Sequence, residues 1–394
     1  MVRPISLVLT VVALLSGLTP VARAEPWHVI RAVVVMRHGV RPPNSDPPVA
    51  VSIAPDPWPT WETRPGWLTD HGAAAIRMVA AADARRFAAD GLLPAAGCPA
   101  AGAVHLTSDS LQRTIRTGDE YLSGLAPGCG IENHHQPQGV ADPLFEEYRH
   151  SGITAEVAAS AVESAIGPEG IAALAARYQP ALDTVTRILC GARTDGCGVT
   201  GMPSGVDIDP SGTRRPRLTG ALDRGAVVAE VLELEYADGK PISDVGWGRA
   251  SAEDIRTVGA LHPLELSIIA RPRPLALANA GKIAEAIREG LSDGPPLTIL
   301  VGHDTEIANL AGLLDVHWSI PGFADDEPAP GGALIFELVE DGDGHRFVRS
   351  TYRAQTLDQI RGLSDAEPVA VPLSPAGCDG QACPFESFAA ALTG

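Results

Sequence analysis

The sequence contains few basic residues and has no long basic block. Its 394 residues include 30 lysines and arginines against 48 aspartates and glutamates, which gives a formal net charge of −18. Because nucleic-acid binding requires clustered positive charge, this composition argues against a DNA or RNA partner. A chain of this charge that binds an anionic substrate must gather a few arginines at the binding site.

Charged residues are also scarce overall, at 20% of the chain, whereas hydrophobic residues make up 45%. These proportions exclude a disordered chain and a coiled coil. A chain of this length can bury an extensive core, and we expect one large or two medium-sized domains. No internal repeat is visible in the sequence.

Long apolar runs are absent beyond the N-terminal segment, so the sequence predicts no membrane-spanning helix in the mature protein. The N-terminal segment has Arg3, an apolar stretch from Ile5 to Leu18, and the ending Ala22-Arg23-Ala24. A basic start, a short apolar run and an A-x-A ending are typical of a secretory signal peptide. We predict a signal peptide over residues 1–24 and a mature protein in the periplasm or outside the cell.

No cysteine is left unpaired if each is joined to its neighbour in the sequence. Six cysteines are an even number that suits an oxidising compartment, and they allow fifteen connectivities. Of these we predict the pairing of neighbours: Cys98 with Cys129, Cys190 with Cys197, and Cys378 with Cys383. No second thiol pair or histidine lies at zinc spacing from Cys190 and Cys197, so we predict disulfides and no metal site.

Two short apolar runs each open directly into a tripeptide that contains histidine. Residues 31–36 (RAVVVM) precede Arg37-His38-Gly39, and residues 297–301 (LTILV) precede Gly302-His303-Asp304. Apolar runs of this length are typical of central strands buried on both faces of an α/β sheet. Because ligands bind beyond the carboxyl ends of such strands, pairing of the two would bring both tripeptides into one crevice.

The segment between these strands has mainly helical sequence patterns, unlike the segments around it. Helices are predicted over 69–90 and 110–125, and alanine-rich helices over 155–166, 168–190 and 219–237. After Asp304, the strings ALIFELVED and HRFVRSTYR around Gly342-Asp343-Gly344 predict a hairpin.

These patterns predict an α/β fold with a central mixed sheet flanked by helices and an inserted all-helical cap domain. We assign residues 25–145 and 265–394 to the α/β catalytic domain and residues 146–264 to the cap, which would cover the crevice.

The string Arg37-His38-Gly39-Val40-Arg41-Pro42-Pro43 points to phosphoryl chemistry. Arginine offers planar, bidentate donors that match phosphate oxygens, so Arg37 and Arg41 would bind the phosphoryl group. His38 would act as the nucleophile and form a phosphohistidine. His303 would donate a further hydrogen bond, and Asp304 would protonate the leaving alcohol and then activate water. Asp304 must be protonated to act as an acid, so the reaction is favoured at acidic pH. This chemistry requires no metal and no cofactor.

RHGVRPP and GHDT together resemble the histidine acid phosphatases of the histidine phosphatase superfamily (branch 2), most of all their bacterial periplasmic phytases and acid phosphatases. The resemblance extends over nearly the whole mature chain and includes RTIRTGDEYLSGLAP (113–127) and PGGALIFEL (330–338). It implies the phosphoglycerate mutase-like fold, the three short-range disulfides, and a third phosphate-binding arginine in a D-x-x-x-R-T segment, which is Arg113 here.

The resemblance also implies a function, namely metal-independent hydrolysis of phosphomonoesters, with phytate as the substrate. Two departures favour glucose 1-phosphate or another small sugar phosphate instead. Asn44-Ser45-Asp46 lacks the lysine of the phytase group, and Glu306 replaces the family's asparagine, which would put a negative charge near the substrate mouth. The other alternative is a periplasmic phosphate-compound binding protein, although binding alone needs neither His38 nor Asp304. We expect a monomer whose partner is the small phosphorylated substrate.

Other acidic residues and histidines leave alternatives open. Asp109 could orient Arg113 or cap the following helix. His262 could line the substrate cleft or be an ordinary half-buried histidine. Asp207 and Asp209 imitate the D-x-D motif of magnesium-dependent aspartyl phosphatases, but no buried strand precedes them, so we reject that chemistry.

Overall fold

A computed structural model of the protein describes residues 27–378, 380 and 382–393, so the predicted signal peptide lies outside the described residues. The described part contains these strands: β1 His28–Arg37, β2 Val104–Ser108, β3 Asn133–His134, β4 Gly205–Asp207, β5 Arg217–Thr219, β6 Leu297–Gly302, β7 Ala333–Glu340, β8 Arg346–Ala354, β9 Val369–Leu373 and β10 Cys383–Pro384.

The described helices are α1 Asp70–Ala89, α2 Gln112–Leu125, α3 Ala155–Ile166, α4 Gly170–Arg177, α5 Gln179–Cys190, α6 Ala221–Ala237, α7 Ala252–Gly259, α8 Leu261–Ile269, α9 Arg273–Ser292, α10 Asp304–Leu314, α11 Leu357–Gly362 and α12 Phe385–Thr393. Short 3₁₀ turns cover Tyr148–His150 and Val245–Gly248. Within this part of the chain, no helix is both long and apolar enough to cross a membrane.

Eight of the strands form one mixed sheet, which confirms the predicted α/β architecture. The strand order is β10-β8-β7-β1-β6-β2-β3, and β9 also pairs with β8. Strands β1, β6, β2 and β3 run parallel to their neighbours in that half of the sheet, whereas β7 to β10 pair antiparallel. The predicted hairpin is formed by β7 and β8.

Strand β1 lies at the centre of the sheet and is buried on both faces, as its apolar run predicts. Its side chains alternate between two cores, because successive residues of a strand point to opposite faces. Val33 and Val35 pack in the larger core, whereas Val34 and Met36 pack in the smaller one, which also contains side chains of α1 and α2. The end of β1 is therefore fixed from both sides.

The predicted helices are found close to their expected ranges. Helix α1 begins after Thr69, whose side chain accepts a hydrogen bond from the Gly72 backbone N–H, as expected of an N-cap. The region predicted as one helix over 168–190 forms two, α4 and α5, which meet at Tyr178. Pro180 lies in the first turn of α5, where a missing backbone N–H costs no hydrogen bond.

The middle of the chain contains one element that the helical pattern does not predict. Strands β4 and β5 pair into a two-stranded sheet of their own, and their connecting loop lies beside the crevice described below. The boundaries 146–264 for a separate cap domain stay a prediction.

The three predicted disulfides are confirmed. Cys98 bonds to Cys129, Cys190 to Cys197, and Cys378 to Cys383. Each closes a loop of the chain, which restricts the unfolded ensemble and so stabilises the folded state.

Candidate active site

Strands β1 and β6 place the two histidine tripeptides side by side. The strands pair in parallel with Arg37 opposite Gly302, and the His38 backbone N–H donates to the Gly302 carbonyl over 3.0 Å. The ring centroids of His38 and His303 lie 5.4 Å apart. The predicted meeting of the two motifs in one crevice is thereby confirmed.

His38 lies at the bottom of this crevice and is held in one tautomer. Its side chain is buried, and its Nδ1 lies 2.8 Å from the Gly39 carbonyl oxygen. Because a carbonyl oxygen only accepts, Nδ1 carries the proton and Nε2 keeps its lone pair. Burial lowers the pKa of His38 well below its usual range, and the positive charges of Arg113 and Arg41 lower it further. The ring is therefore neutral, as a nucleophile must be.

The residue after His38 must be glycine because the loop packs directly against helix α1. A Cβ atom at Gly39 would lie 2.9 Å from Leu68 Cδ1 and 3.0 Å from Ile76 Cγ1. The Gly39 backbone N–H also donates to the Thr117 hydroxyl of α2 over 3.1 Å. This close packing fixes the position of the His38 ring.

The three arginines predicted to bind phosphate surround His38. Arg37 and Arg41 are 0% and 3% exposed, and Arg113 reaches the same point from the first turn of α2, where its Nη2 lies 3.4 Å from His303 Nδ1. All three act electrostatically on the His38 ring. Among the described residues, the Nε atoms of all three arginines are buried without a hydrogen-bond partner, so each keeps an unused donor.

Glu230 of α6 is a site residue that the sequence analysis missed. Its Oε1 accepts from Arg37 Nη2 over 2.7 Å and from Arg41 Nη2 over 2.8 Å. Burial alone would raise the pKa of Glu230, but Arg41 and Arg37 lower it below its usual range. The one available signal was the glutamates at 230, 233 and 235 within an otherwise apolar helix.

Asp109 orients His303, which was neither of the two roles considered for it. Asp109 follows β2, and its Oδ2 lies 2.7 Å from His303 Nε2. Within the described residues its side chain makes no hydrogen bond to Arg113, and the N-cap position of α2 is Leu111. Burial raises the pKa of Asp109, but the hydrogen bond and charge of His303, together with the Ser110 backbone N–H and Arg113, leave the pKa lowered. The carboxylate thus holds Nε2–H and turns Nδ1 toward Arg113.

Asp304, the predicted proton donor, begins α10 next to the arginines. Its Oδ2 lies 3.2 Å from Arg37 Nη2. Burial alone would raise the pKa of Asp304, but Arg37 and His262 hold it well below its usual range. A bound phosphoryl group adds negative charge beside Asp304 and takes up the arginine, so substrate binding raises this pKa toward the protonated form.

His262 lines the crevice, which was one of its two predicted positions. Its Nδ1 lies 2.9 Å from the buried Glu327 carboxylate. Burial opposes protonation of the ring, but Glu327 outweighs it and raises the pKa of His262 to about 10. Glu327 also lies 3.3 Å from Arg37 Nη1, so it supports one phosphate-binding arginine from behind.

The structure corrects the expectation that Glu306 brings negative charge to the substrate mouth. Glu306 is 2% exposed, and its Oε2 accepts from the His303 backbone N–H over 2.7 Å. Burial raises the pKa of Glu306, which favours its neutral form. The side chain therefore caps the start of α10, where the first backbone N–H groups need acceptors.

The crevice has a volume of about 630 Å³ and is lined by His38, His303, Asp304 and two of the arginines predicted to bind phosphate, Arg41 and Arg113. Within the described residues, the ligand atoms of Glu230, His262 and Asp304 lie within 4.8 Å of one another, as a metal site would require. A cation there would have to compete with Arg37, which already pairs with both carboxylates.

A model of the histidine phosphatase superfamily (branch 2) matches residues 28–159 of the chain. Phytase AppA of Escherichia coli (strain K12) is 31% identical over 403 residues, which cover 93% of this chain and 92% of that protein. Glucose-1-phosphatase of Salmonella typhimurium is 27% identical over 405 residues, which cover 96% and 95% of the two chains.

Solved structures of bacterial phytases share the fold. Hafnia alvei phytase in complex with myo-inositol hexakis sulphate superimposes with a TM-score of 0.85 and 29% identity, covering 93% of this chain and 96% of that chain. The phytase from Citrobacter braakii superimposes with a TM-score of 0.84 and 28% identity, covering 93% and 97%.

Proposed function

The chain belongs to branch 2 of the histidine phosphatase superfamily and is a phosphomonoester hydrolase, and from that membership we propose its mechanism and its substrate. It is an acid phosphatase that needs no metal, transfers the phosphoryl group to His38, and acts on phytate. The observation that carries this proposal is a buried, neutral His38 whose Nδ1–H is bound by the Gly39 carbonyl and whose ring lies in the field of three arginines.

In the first step, the Nε2 lone pair of His38 attacks phosphorus while the bond from phosphorus to the ester oxygen breaks. Arg37, Arg41 and Arg113 bind the phosphoryl oxygens and neutralise the charge that develops on them. Asp304, protonated once the phosphoryl group is bound, gives its proton to the leaving alcohol oxygen. The products of this step are the free alcohol and a phosphohistidine.

In the second step, the Asp304 carboxylate removes a proton from a water molecule, and the water oxygen attacks the phosphohistidine. The bond from phosphorus to nitrogen breaks, and Nε2 recovers its lone pair while Nδ1–H stays on the Gly39 carbonyl. Inorganic phosphate leaves, and Asp304 is again protonated for the next turnover. His303 assists both steps through Nδ1, which Asp109 keeps turned toward the phosphoryl group.

The substrate we propose is phytate, as the name of the phytase relative suggests. Of the two departures that weakened this hypothesis, the buried capping role of Glu306 removes one. The other remains, because Asn44 lines the crevice where the phytase group has a lysine nearby. Glucose 1-phosphate is the second candidate, since a glucose-1-phosphatase is 27% identical over most of both chains.

We propose that the enzyme works as a monomer in the periplasm or outside the cell. Three disulfides suit an oxidising compartment, and the N-terminal sequence has the pattern of a secretory signal.

The test is phosphate release by residues 25–394 with a chelator present, between about pH 3 and pH 7, where carboxylates and histidine titrate. Phytate, glucose 1-phosphate and p-nitrophenyl phosphate are compared, and His38→Ala is the control. The phosphohistidine is sought by rapid quenching of the wild-type enzyme with ³²P-labelled substrate.

Chelator-resistant release from phytate that disappears in His38→Ala supports both the mechanism and the substrate. Release of phosphate from glucose 1-phosphate but not from phytate supports the mechanism and makes glucose 1-phosphate the substrate in place of phytate. Full activity in His38→Ala, or activity that the chelator abolishes, rejects the mechanism.

A further inference from the structure

A second group of arginines, all of them exposed, lines the same crevice as His38. Arg149 follows Tyr148 in a 3₁₀ turn, and Arg214, Arg215 and Arg217 belong to the loop between β4 and β5 and its following strand. This concentration of positive charge is unexpected in a chain of net charge −18. A ligand of the crevice that binds to this positive charge would account for it.

The loop that carries Arg215 is held in shape by Asp209. The Asp209 carboxylate accepts hydrogen bonds from the backbone N–H groups of Ser211, Thr213 and Arg214 and from the hydroxyls of Ser211 and Thr213. Arg215 directly follows this network. Its backbone is therefore fixed before any ligand binds, which lowers the entropic cost of binding.

Two of the arginines have acidic partners, and two do not. Arg214 lies 3.6 Å from Asp209, and Arg217 lies 3.2 Å from Asp207. Arg149 and Arg215 are exposed, and neither makes an ion pair with any acidic side chain in the part of the chain that the structure describes. In an acidic protein, two neighbouring arginines without acidic partners are available to an external anion.

The Tyr148 hydroxyl adds an uncharged hydrogen-bond donor to the same crevice. The residue is 5% exposed and lines the crevice, yet its hydroxyl has no hydrogen-bond partner among the described residues. A buried hydroxyl without a partner is costly, so it indicates a ligand. Arg215 lies close enough to act electrostatically on this hydroxyl and on Glu306 at the start of α10.

We propose that Tyr148, Arg149 and Arg215 form a second anion subsite, which binds a phosphate group of the substrate other than the one transferred to His38. The inference rests on the phosphatase function proposed above and narrows its substrate to polyphosphorylated molecules such as phytate. A sugar monophosphate has no second phosphate and cannot use the subsite. The subsite thereby supplies positive charge to the crevice in place of the cation that is missing at Asn44-Ser45-Asp46.

Two of the acidic side chains that line the crevice lose charge at acidic pH. Burial raises the pKa of Glu265 to about 7 and also raises the pKa of Glu306, whereas the arginines stay charged. Asp209 acts electrostatically on the Tyr148 hydroxyl and stays ionised, because hydrogen bonds from Ser211 and Thr213 lower its pKa. This carboxylate is occupied by those hydrogen bonds and by Arg214. Glu146 is a further, exposed acidic residue that lines the crevice.

The test compares kcat/KM for phytate with kcat/KM for p-nitrophenyl phosphate in the double variant Arg149→Gln/Arg215→Gln. We expect the phytate value to fall about tenfold, which corresponds to the loss of charge-assisted hydrogen bonds to one phosphate. We expect the aryl phosphate value to fall about twofold, because only the weak, solvent-screened field of two exposed charges is lost. Arg256→Gln is the matched control, since Arg256 is exposed and lies outside the crevice.

Two further variants separate direct contact from the general field. Tyr148→Phe removes one hydroxyl and no charge, and we expect it to lower kcat/KM for phytate about threefold to tenfold, as the loss of one hydrogen bond of ordinary strength does. Arg215→Lys in the Arg149→Gln background should recover part of the loss. The effects should persist at about 0.2 M salt, where exposed charges farther apart than about 8 Å are screened.

Equal losses for phytate and the aryl phosphate, or no loss in the double variant, would overturn the subsite. So would an effect that vanishes at the higher salt concentration. If the wild-type enzyme releases no phosphate from phytate, the proposed substrate fails first, and retained turnover of glucose 1-phosphate shows that the phosphatase itself remains intact.

Discussion

Arg37 is the residue on which the charges of the site converge. Its guanidinium is fully buried and lies within 3.3 Å of the carboxylates of Glu230, Asp304 and Glu327. Three anions around one cation leave an excess of negative charge before substrate binds, and Arg41 and His262 offset it. A phosphoryl group that enters must compete with Glu230 for the donors of Arg37 and Arg41. The Glu230 carboxylate therefore holds the two guanidinium groups as a phosphoryl oxygen would.

The role of Asp304 predicts how Asp304→Asn depends on the leaving group. An asparagine cannot protonate the leaving oxygen, and general acid catalysis of this kind contributes about 10²–10⁴-fold. We expect kcat/KM for phytate to fall by that factor. p-Nitrophenolate is a stable anion that needs little protonation, so its ester should lose about tenfold or less.

The measurement is kcat/KM, because it reports the phosphoryl transfer and not the later hydrolysis of the phosphohistidine. His38→Ala is the control and should lower the values for both esters equally. Equal losses for the two esters in Asp304→Asn would mean that Asp304 is not the proton donor.

The pairing of Asp109 with His303 predicts that Asp109→Asn lowers activity without touching substrate. The carboxylate accepts from His303 Nε2–H and so fixes the orientation of the ring, whose other nitrogen lies on the side of the arginines. A neutral asparagine makes a weaker hydrogen bond to Nε2–H than a carboxylate does, so the ring is held less firmly. Misplacement of an active-site group costs about 10²-fold, and we expect kcat to fall by about that factor.

The separate values of kcat and KM distinguish this role from a structural one, because a positioning residue that does not touch the substrate should lower kcat and leave KM nearly unchanged. Asp195→Asn is the matched control, since Asp195 is an exposed loop residue away from the crevice. An unchanged kcat together with a lowered melting temperature would show that Asp109 merely supports the fold.

At the scale of secondary structure, the strand ends were the part of the site that the sequence predicted well. RAVVVM and LTILV are apolar over their whole length, so both had to be central strands, and the residues that follow them had to meet at one edge. The pairing of Arg37 with Gly302 confirms this. Local pattern sufficed because each motif directly follows its strand.

The contacts that tune these motifs were not predictable from local pattern. Glu230 reaches Arg37 and Arg41 across 193 and 189 residues, and Asp109 reaches His303 across 194. Such contacts depend on how whole helices pack. The same reason explains why a buried cap at Glu306 was mistaken for a charge at the substrate mouth.

The start of helix α10 offers a test of that correction. Glu306→Gln keeps an oxygen acceptor for the His303 backbone N–H and removes only the capacity to ionise. We expect its kcat/KM for phytate to stay within about twofold of the wild-type value and its stability to stay within about 0.5 kcal/mol, as for other substitutions that keep their contacts.

Glu306→Ala is the companion variant and should lose about 1–2 kcal/mol of stability, because the backbone N–H then has no acceptor. Urea denaturation and steady-state kinetics on both variants decide the matter. A selective gain of phytate activity in Glu306→Gln would mean that the Glu306 charge does reach the substrate.

At the scale of the whole molecule, the charge of the crevice is opposite in sign to the net charge of the chain. The chain carries −18 overall, yet its crevice is lined by arginines from β4–β5, α2 and the loop after β1. The negative exterior repels polyanions in general, whereas the crevice attracts them locally. Added salt screens the general repulsion and the local attraction alike, so the sign of its effect on association with phytate shows which of the two is stronger.

The contribution of Glu235 of α6 to the stability of the fold should fall between pH 4.5 and pH 7. Glu235 is 0% exposed, its Oε2 accepts from the Gly246 backbone N–H over 2.9 Å, and its Oε1 has no partner in the described structure. Burial raises its pKa from 4.5 to about 7, and the opposing effects of Gly246 and Lys240 are smaller. Within that window the folded state holds a proton that the unfolded state has lost, so the free energy of unfolding decreases as pH rises.

Glu235→Gln removes this titration and keeps the acceptor for Gly246. We expect the variant and the wild type to be equally stable at pH 4, and the variant to be more stable at pH 8 by on the order of 3 kcal/mol. Urea denaturation at both pH values measures the difference, and comparison with the exposed Glu163→Gln cancels the titration of other groups, which both proteins share. If the difference between Glu235→Gln and the wild type is the same at pH 4 and pH 8, Glu235 is ionised in the folded protein and the burial argument fails.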